Sequence, residues 1–341
     1  MLTLTKSLFA LMLGFIGATI FGLIIIPFLK KLKAGQNINI YVEAHRNKAG
    51  TPTMGGLIFI IPTFAITLFL LLTGKIEYSV NLVIVLFVFL SYGLIGFLDD
   101  FISLRRKTNK GLTQFQKILL QLIVALVFYV LFRQYTAGDS YLRISALGID
   151  WNLGWFYGVF ILFLLVGSSN AVNLTDGLDG LATVPSIMAF VSLSILVYVT
   201  GHAIFSSYLL LPNIQIVGEL AVMGSAICGA LIAFLWFNSH PAEVFMGDSG
   251  SLPLGAFMGY MAIVAKSELL LLAIGFIFVL ETVSVILQVG SYKLRQKRVF
   301  LMAPIHHHFE QKGWKENKII VRFWIISFMT NLIALLSLKI R

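Results

Sequence analysis

The chain has 341 residues, of which 58% are hydrophobic and 12% charged, with a mean hydropathy of +0.92 and a formal net charge of +10. This composition excludes a soluble globular protein and a disordered chain, and it predicts an all-α polytopic membrane protein. The sequence lacks the alternating ten-residue strands of a membrane β-barrel, which excludes that class as well.

Ten apolar runs are predicted to be transmembrane helices, because about 20 apolar residues at 1.5 Å rise each cross a hydrocarbon core of roughly 30 Å. The predicted spans are residues 7–29, 55–73, 80–98, 114–132, 153–170, 183–200, 214–237, 252–265, 269–289 and 319–338. The first run has no small-x-small cleavage site before Lys30, so we interpret it as a retained helix. The whole chain, residues 1–341, is predicted to form one integral-membrane domain.

Basic residues predict the orientation. Lys and Arg outside the spans concentrate in the odd-numbered loops, as in Lys30, Arg105, Arg106 and Lys293. By the positive-inside rule these loops are cytoplasmic and both termini are outside. The net positive charge is therefore explained by membrane topology, and nucleic-acid binding is not expected.

Loop one carries cationic and hydroxyl groups immediately before the second span, in the segment HRNKAGTPTMGG. Arg46 and Lys48 are donors suited to a diphosphate, although membrane topology alone explains their charge equally well. Thr51 and Thr53 are candidates for the N-cap of the following helix.

Loop three begins with the adjacent carboxylates Asp99 and Asp100 at the end of the third span. Two unit charges 4 Å apart repel by about 4 kcal/mol at an effective dielectric constant of 20. A divalent cation would offset that repulsion. The alternative is a solvated, charged helix end.

Loop five, NAVNLTDGLDGLA, has no basic residue and places Asp176 and Asp179 on one face if the segment is helical. Gly177 and Gly180 allow a phosphate or a nucleoside to approach the backbone closely. A glycine-rich turn with capping aspartates is the structural alternative.

Loop seven, FNSHPAEVFMGDSGS, also lacks Lys and Arg and supplies Asp248, which is a candidate metal ligand or N-cap of the eighth helix. Phe245 could stack on a flat base or could dock the loop on the protein.

Loop nine contains His306, His307 and His308 in the segment APIHHHFE. Three consecutive residues cannot all face one ion on a regular helix, which argues against a zinc site. The histidines could bind phosphate, transfer protons or cap structure. Cys228 is the only cysteine and lies in an apolar span, so no disulfide or thiolate metal site is available. The oxygen ligands in the other loops favour a hard cation such as Mg²⁺. Glu281 lies in the ninth span and is expected to face the bundle interior.

Carboxylates, cationic donors and glycine turns at one membrane rim favour phosphoryl transfer between a soluble phosphate ester and a lipid. The sequence has no Walker loop, no kinase glycine loop and no G-x-S-x-G elbow, so nucleotide hydrolysis and lipase chemistry have no support.

These five loops, in order, resemble those of the phospho-N-acetylmuramoyl-pentapeptide transferases, within the polyprenyl-phosphate N-acetylhexosamine-1-phosphate transferase superfamily. The resemblance covers the motifs of loops one, three, five, seven and nine and the ten-span topology. It implies a Mg²⁺-dependent reaction of UDP-MurNAc-pentapeptide with undecaprenyl phosphate, giving lipid I and UMP. It also implies a homodimer in the bacterial cytoplasmic membrane with its active-site cleft on the cytoplasmic face.

The resemblance implies roles for individual residues. Asp99 would be the base for the lipid phosphate, and Asp248 would bind Mg²⁺. The other implied catalytic residues are Asp100, Asp176 and His307. The implied substrate-binding residues are Lys48, Thr53, Asn173, Gly177, Leu178, Asp179, Asn238, Phe245, His306 and His308.

The reaction leaves alternatives open. A lipid phosphate is largely ionised near pH 7, since its second pKa is about 6, so a base would contribute less than charge neutralisation. A direct displacement and a route through an aspartyl intermediate are both compatible with the residues. The competing functions are a UDP-GlcNAc:undecaprenyl-phosphate GlcNAc-1-phosphate transferase and a cation-coupled transporter, although transporters usually place charges near the bilayer midplane.

Overall fold

A computed structural model gives the structure of residues 3–32, 50–106, 108, 111–136, 138–144 and 148–339. This described part contains thirteen α-helices, a 3₁₀ helix (Gln215–Glu219) and one β-hairpin. In chain order the helices are α1 (Thr3–Lys31), α2 (Leu57–Leu72), α3 (Val80–Arg106), α4 (Gln114–Tyr135), α5 (Phe156–Thr175), α6 (Thr183–Gly201), α7 (Ala203–Tyr208), α8 (Leu220–Asn238), α9 (Asp248–Val264), α10 (Leu270–Ile274), α11 (Phe276–Arg295), α12 (Ile305–Gln311) and α13 (Glu316–Leu336).

Helices coincide with all ten predicted spans. Within the described residues, eight helical segments are long and apolar enough to cross a membrane, which confirms a helical, polytopic membrane protein. The helices α2 and α9 are shorter, with 16 and 17 residues. The ninth predicted span is divided at Gly275 into α10 and α11. Ten crossings, and their orientation, remain predictions.

A two-stranded antiparallel hairpin between α4 and α5 was not predicted from the sequence. Strand β1 (Tyr141–Ile144) pairs with β2 (Ile149–Asn152), with Tyr141 opposite Asn152 and Ile144 opposite Ile149. Each strand has four residues, so neither contains enough alternation to stand out in a sequence dominated by apolar helices.

Helix α9 forms the centre of the bundle. Every residue from Ser249 to Val264 is buried, and the helix packs chiefly against α3 and α5. A side chain on Gly96 of α3 would collide with the backbone carbonyl of Asp248, so α3 and the start of α9 are in direct backbone contact. This contact brings the end of α3, with Asp99 and Asp100, beside Asp248.

A smaller apolar cluster packs the segment after α5 against α11 and α13. It consists of Leu178, Leu181, Ile277, Ile319, Ile320 and Phe323. Its burial fixes residues 176–182 at the same end of the bundle as Asp248.

Candidate active site

Three carboxylates from two helices meet where α3 ends and α9 begins. Oxygen atoms of Asp99, Asp100 and Asp248 all lie within 4.8 Å of one another. The buried Asp100 accepts hydrogen bonds from the backbone N–H groups of Asp248 (3.2 Å) and Ser249 (3.0 Å). Asp100 therefore satisfies the free N–H groups at the start of α9. The alternative that Asp248 caps this helix is wrong, since Asp248 is its first helical residue.

Asp99 is partly buried and is held from the other side by the segment that precedes α4. Its Oδ1 accepts a hydrogen bond from the backbone N–H of Leu112 at 2.9 Å. The carboxylate is thereby fixed next to Asp100 and Asp248.

Asp248 is held by donors from two further helices. The ammonium group of Lys117 in α4 contacts its Oδ2, and the amide of Asn173 in α5 donates to its Oδ1 at 2.6 Å. Asn173 also donates to the hydroxyl of Ser251 at 2.9 Å. Asn173 was predicted at the site, whereas Lys117 was missed. The available signal was a lysine inside an apolar run, near the start of the fourth predicted span.

Asp176 follows α5 as its C-cap and lies near enough to Asp248 for their charges to interact. Burial, and then the negative charge of Asp248, raise the pKa of Asp176 to about 7. The group is therefore close to half-protonated at neutral pH, when no cation compensates the neighbouring charges.

A second polar group involves residues 176–182. It is formed by Asp179, His240 and Glu316. The buried Asp179 carboxylate has Oδ2 at 2.8 Å from Nδ1 of His240 and accepts the backbone N–H of Ala242 at 3.2 Å. Its own backbone N–H donates to Glu316 at 3.2 Å. These contacts tie residues 176–182 to the segment that follows α8.

Two predicted substrate-binding side chains are buried beneath the loops. Asn238 accepts hydrogen bonds from Gly180 (3.1 Å) and Thr183 (2.8 Å) and donates to Val244 (3.0 Å). Leu178 packs into the apolar cluster with α11 and α13. Both side chains thus support the loop from below, and neither lies on a cleft surface.

Loop one joins the site through residues 52–56. Backbone hydrogen bonds connect Phe245 to Pro52 (2.8 Å) and to Gly55 (2.9 Å). The Phe245 ring is only partly buried, which leaves part of it accessible beside the loop. The predicted residue Lys48 lies outside the described residues.

The Thr53 hydroxyl is buried and has no hydrogen-bond partner within the described part of the chain. Gly247 lies between it and a carboxylate oxygen of Asp100. An unpaired buried hydroxyl beside clustered carboxylates fits a site that receives a polar ligand.

The three histidines of α12 have three different neighbours. Nδ1 of His307 lies 2.5 Å from a carboxylate oxygen of Glu310, and Nδ1 of His308 accepts the backbone N–H of Leu301 at 3.1 Å. Nδ1 of His306 faces Glu281. This arrangement agrees with the expectation that the run does not converge on one ion.

His306 and Glu281 form a buried pair, with 3.1 Å between Nδ1 and the nearer carboxylate oxygen and at most 1% exposure for either residue. The predicted inward orientation of Glu281 is confirmed. The other edge of the imidazole presses on Gly177, where a Cβ atom would collide with it. His306 therefore supports residues 176–182 from behind, and its enclosure does not suit the predicted contact with substrate.

The three-carboxylate cluster can hold a hard cation, because carboxylate and hydroxyl oxygens are the ligands that Mg²⁺ and Ca²⁺ prefer. Several of its oxygens also accept N–H donors, but a carboxylate offers about four lone-pair sites and can serve both. A cation and Lys117 together would make this end of the bundle attractive to phosphate groups.

Comparisons with known proteins agree with this chemistry. The model of Glycosyl transferase family 4 matches residues 82–266, and the phospho-N-acetylmuramoyl-pentapeptide-transferase signature 1 matches residues 48–60. The chain is 65% identical to the phospho-N-acetylmuramoyl-pentapeptide-transferase of Aliarcobacter butzleri over 321 residues, which cover 93% of this chain and 89% of the relative. The proteins of the same name from Nitratiruptor sp. and Sulfurimonas denitrificans are 55% and 51% identical, over 92% and 96% of this chain and 88% and 94% of their own lengths.

Proposed function

Because the chain belongs to the phospho-N-acetylmuramoyl-pentapeptide transferase family, we propose that it transfers phospho-MurNAc-pentapeptide from UDP-MurNAc-pentapeptide to undecaprenyl phosphate. The products are lipid I and UMP, and the reaction is the first membrane step of peptidoglycan synthesis. The observation that carries this proposal is the convergence of Asp99, Asp100 and Asp248 with Lys117 at one end of the helical bundle.

In the proposed reaction, an oxygen of the lipid phosphate attacks the phosphorus atom attached to the sugar. A new phosphorus–oxygen bond forms, and the bond from that phosphorus to the bridging oxygen breaks, so that UMP leaves with the electron pair. Asp99 accepts the remaining proton when the lipid phosphate is still protonated. Since a phosphate monoester is mostly ionised near pH 7, the main requirement is to neutralise charge.

Mg²⁺ fits the residues present, because three carboxylates come together beside the unpaired hydroxyl of Thr53. Asp248 would be its principal ligand, with Asp99 and Asp100 as further carboxylates in reach. When bound, Mg²⁺ neutralises the charge of the diphosphate and of the departing phosphate. Lys117 supplies a second positive charge at the same place and holds Asp248 in position.

The nucleotide is proposed to lie on residues 176–182. Gly177 is packed against the His306 ring, so the partly accessible Phe245 is the surface offered to the uracil base. Asp179 is fixed by His240 and Glu316 and its carboxylate is buried, so the backbone groups of residues 176–182 form a rigid polar edge. Rigid polar edges favour recognition of one base over others.

Eight apolar helices support a membrane location, and the distribution of basic residues supports the proposed orientation. We propose that the whole chain is one domain in a bacterial cytoplasmic membrane, with the carboxylate cluster on the cytoplasmic face. UDP-MurNAc-pentapeptide would then reach the site from the cytoplasm, and undecaprenyl phosphate from within the bilayer.

The test follows UMP release by purified protein in detergent with undecaprenyl phosphate, and compares UDP-MurNAc-pentapeptide with UDP-GlcNAc, in Mg²⁺ and in EDTA. We expect UMP only from the MurNAc substrate and only with Mg²⁺. Asp248→Asn should reduce the rate by at least about 10³-fold. The matched control is Asp150→Asn, which changes an exposed carboxylate on the hairpin.

Two results would overturn the proposal. UMP release from UDP-GlcNAc instead would assign the chain the activity of the related GlcNAc-1-phosphate transferases. Inactivity of well-folded protein on both substrates would favour a transporter.

A further inference from the structure

A polar contact joins three helices below the carboxylate cluster, at Tyr92 in α3, Gln121 in α4 and Asn170 in α5. The Asn170 amide donates to Oε1 of Gln121 at 2.6 Å, and the Tyr92 hydroxyl donates to the backbone carbonyl of Gln121 at 3.1 Å. Tyr92 and Gln121 have no exposed surface. We refer to these three residues as the polar node.

Each helix of the polar node carries a site residue on the same face. Asp99 follows Tyr92 by seven residues, Lys117 precedes Gln121 by four, and Asn173 follows Asn170 by three. Residues separated by three, four or seven positions share one face of an α-helix. At 1.5 Å per residue, the node therefore lies about one to two turns below the cluster, or roughly 5 to 10 Å.

The relative position of α4 and α5 matters because both helices hold the same carboxylate. Lys117 contacts Oδ2 of Asp248, whereas Asn173 donates to Oδ1 of the same group. A displacement of one helix along the other would break one of these contacts. A misplacement of about 1 Å at a reacting group can cost about 100-fold in rate.

A glutamine at position 121 lowers the stability of the folded protein. Its amide nitrogen is buried and has no acceptor within the described part of the chain. An unsatisfied buried donor costs about 1 to 3 kcal/mol, and an apolar side chain of the same shape would avoid that cost. A contribution to stability alone thus does not account for a glutamine in this position.

We propose that Gln121 is a positioning residue for Asp248. Through Asn170 it fixes the spacing of α4 and α5, so that Lys117 and Asn173 reach the two oxygens of one carboxylate. The inference rests on the proposed function where it concerns catalysis. It also applies directly to the binding of a cation by Asp248, which can be measured without substrates.

The test compares Gln121→Met, which has a similar volume and no hydrogen-bonding amide, with Gln121→Glu, which keeps the acceptor oxygen. The matched control is Ser192→Ala, which removes a buried 2.7 Å hydrogen bond between α6 and α13 away from the site. For each protein we would measure kcat, both KM values, the Mg²⁺ concentration that gives half-maximal rate, and the Mg²⁺-induced rise in melting temperature.

Gln121→Met should lower kcat by about 10- to 100-fold and raise the half-saturating Mg²⁺ concentration, with both KM values changed less than about threefold. Its Mg²⁺-induced rise in melting temperature should shrink. Gln121→Glu should recover most of kcat, and Ser192→Ala should change neither kcat nor the Mg²⁺ response.

Asn170→Ala removes the same contact from the other helix and should reproduce the effect if Gln121→Met does not fold. If both single variants fold, the double variant should be no worse than the more defective one, because both changes remove one interaction.

Three outcomes would overturn the inference. In the first, Gln121→Met keeps wild-type kcat and Mg²⁺ response. In the second, it raises only the KM for undecaprenyl phosphate, which indicates direct lipid contact. In the third, its melting temperature falls while its Mg²⁺ response is unchanged. A failure of the proposed function is distinguishable, because the wild-type protein would then release no UMP while its Mg²⁺-dependent melting still reported on Asp248.

Discussion

The two ends of α9 both carry clustered charges, but their net charge differs. At the Asp248 end, the described side chains in the cluster are Asp99, Asp100, Asp176 and Asp248, and Lys117 is the cation that contacts them. Four carboxyl groups against one ammonium leave an excess of acidic groups at this end.

At the Val264 end, opposite charges are paired. The buried Lys266 has Nζ at 2.6 Å from Asp139 and 3.0 Å from the Tyr157 hydroxyl. Arg143 contacts the same aspartate at 2.8 Å, and Tyr157 donates to the buried Glu268 at 2.5 Å. Asp139 and Glu268 thus lie among two cations and a phenol, with the exposed Asp150 at 4.0 Å from Arg143, which is an arrangement typical of structural networks.

The two ends of α9 therefore differ in the balance of acidic and basic groups. Most charges at the Val264 end are paired within the protein, whereas the excess of carboxyl groups at the Asp248 end favours a cation from solution.

The largest expected difference is between the two lysines. Lys117→Met should reduce kcat by about 10³-fold, equivalent to about 4 kcal/mol, because it removes a positive charge at the transferring phosphate. Lys266→Met should leave kcat of the folded protein within about threefold, since Lys266 lies at the other end of α9. UMP release per folded molecule measures both, and equal losses in kcat would contradict the comparison.

Mg²⁺ should stabilise the protein through the Asp248 end only. At a Mg²⁺ concentration of 100 Kd, binding to the native state contributes about 2.7 kcal/mol. Thermal unfolding in detergent should show a higher melting temperature with Mg²⁺ than with EDTA, and Asp248→Asn should abolish the difference. Asp139→Asn serves as the control and should retain the full Mg²⁺-dependent shift.

Removal of one carboxylate should have opposite effects on stability at the two ends. Without Mg²⁺, Asp139→Asn should lower the free energy of unfolding by about 2 kcal/mol, because Lys266 stays buried without its counter-charge. Asp99→Asn should raise it by about 1 kcal/mol, since it relieves repulsion and the amide oxygen can still accept the Leu112 N–H. The melting temperatures of both variants in EDTA test these opposite effects. Destabilisation by Asp99→Asn would contradict an excess of negative charge at the Asp248 end.

The smallest effect concerns pH. The pKa of Asp176 is raised to about 7, above the value of about 3.9 in an unfolded chain, so the native state binds more protons between these values. In the absence of Mg²⁺, stability should therefore fall as pH rises through 7, by about 1 kcal/mol between pH 6 and 7.5. Unfolding of Asp176→Asn should lack this part of the pH dependence, and identical profiles would exclude the shifted pKa.

The sequence predicted the features that depend on local pattern. Apolar runs located the helices, and the polar loops located Asp99, Asp100, Asp176 and Asp248. The hairpin was missed because four-residue strands carry little periodic signal. Lys117 was missed because a basic residue near a span end also serves as a topology signal.

Burial beneath the loops could not be predicted from local pattern. Asn238, Leu178 and His306 have the residue types of a binding surface, but tertiary packing turns their side chains toward Gly180, the apolar cluster and Glu281. Each contact joins segments far apart in the chain. A single sequence gives no measure of which of two polar residues in a motif faces inward.

The burial of α9 has a consequence for biogenesis. The helix is 17 residues long, begins with Asp248 and is enclosed by protein along its length, so it is poorly suited to enter lipid alone. Its main packing partners α3 and α5 precede it in the chain, and the space that receives it is formed by helices already synthesised. Membrane insertion of α9 is thus an assembly step that depends on its neighbours, and the two charged clusters at its ends are completed only when that step occurs.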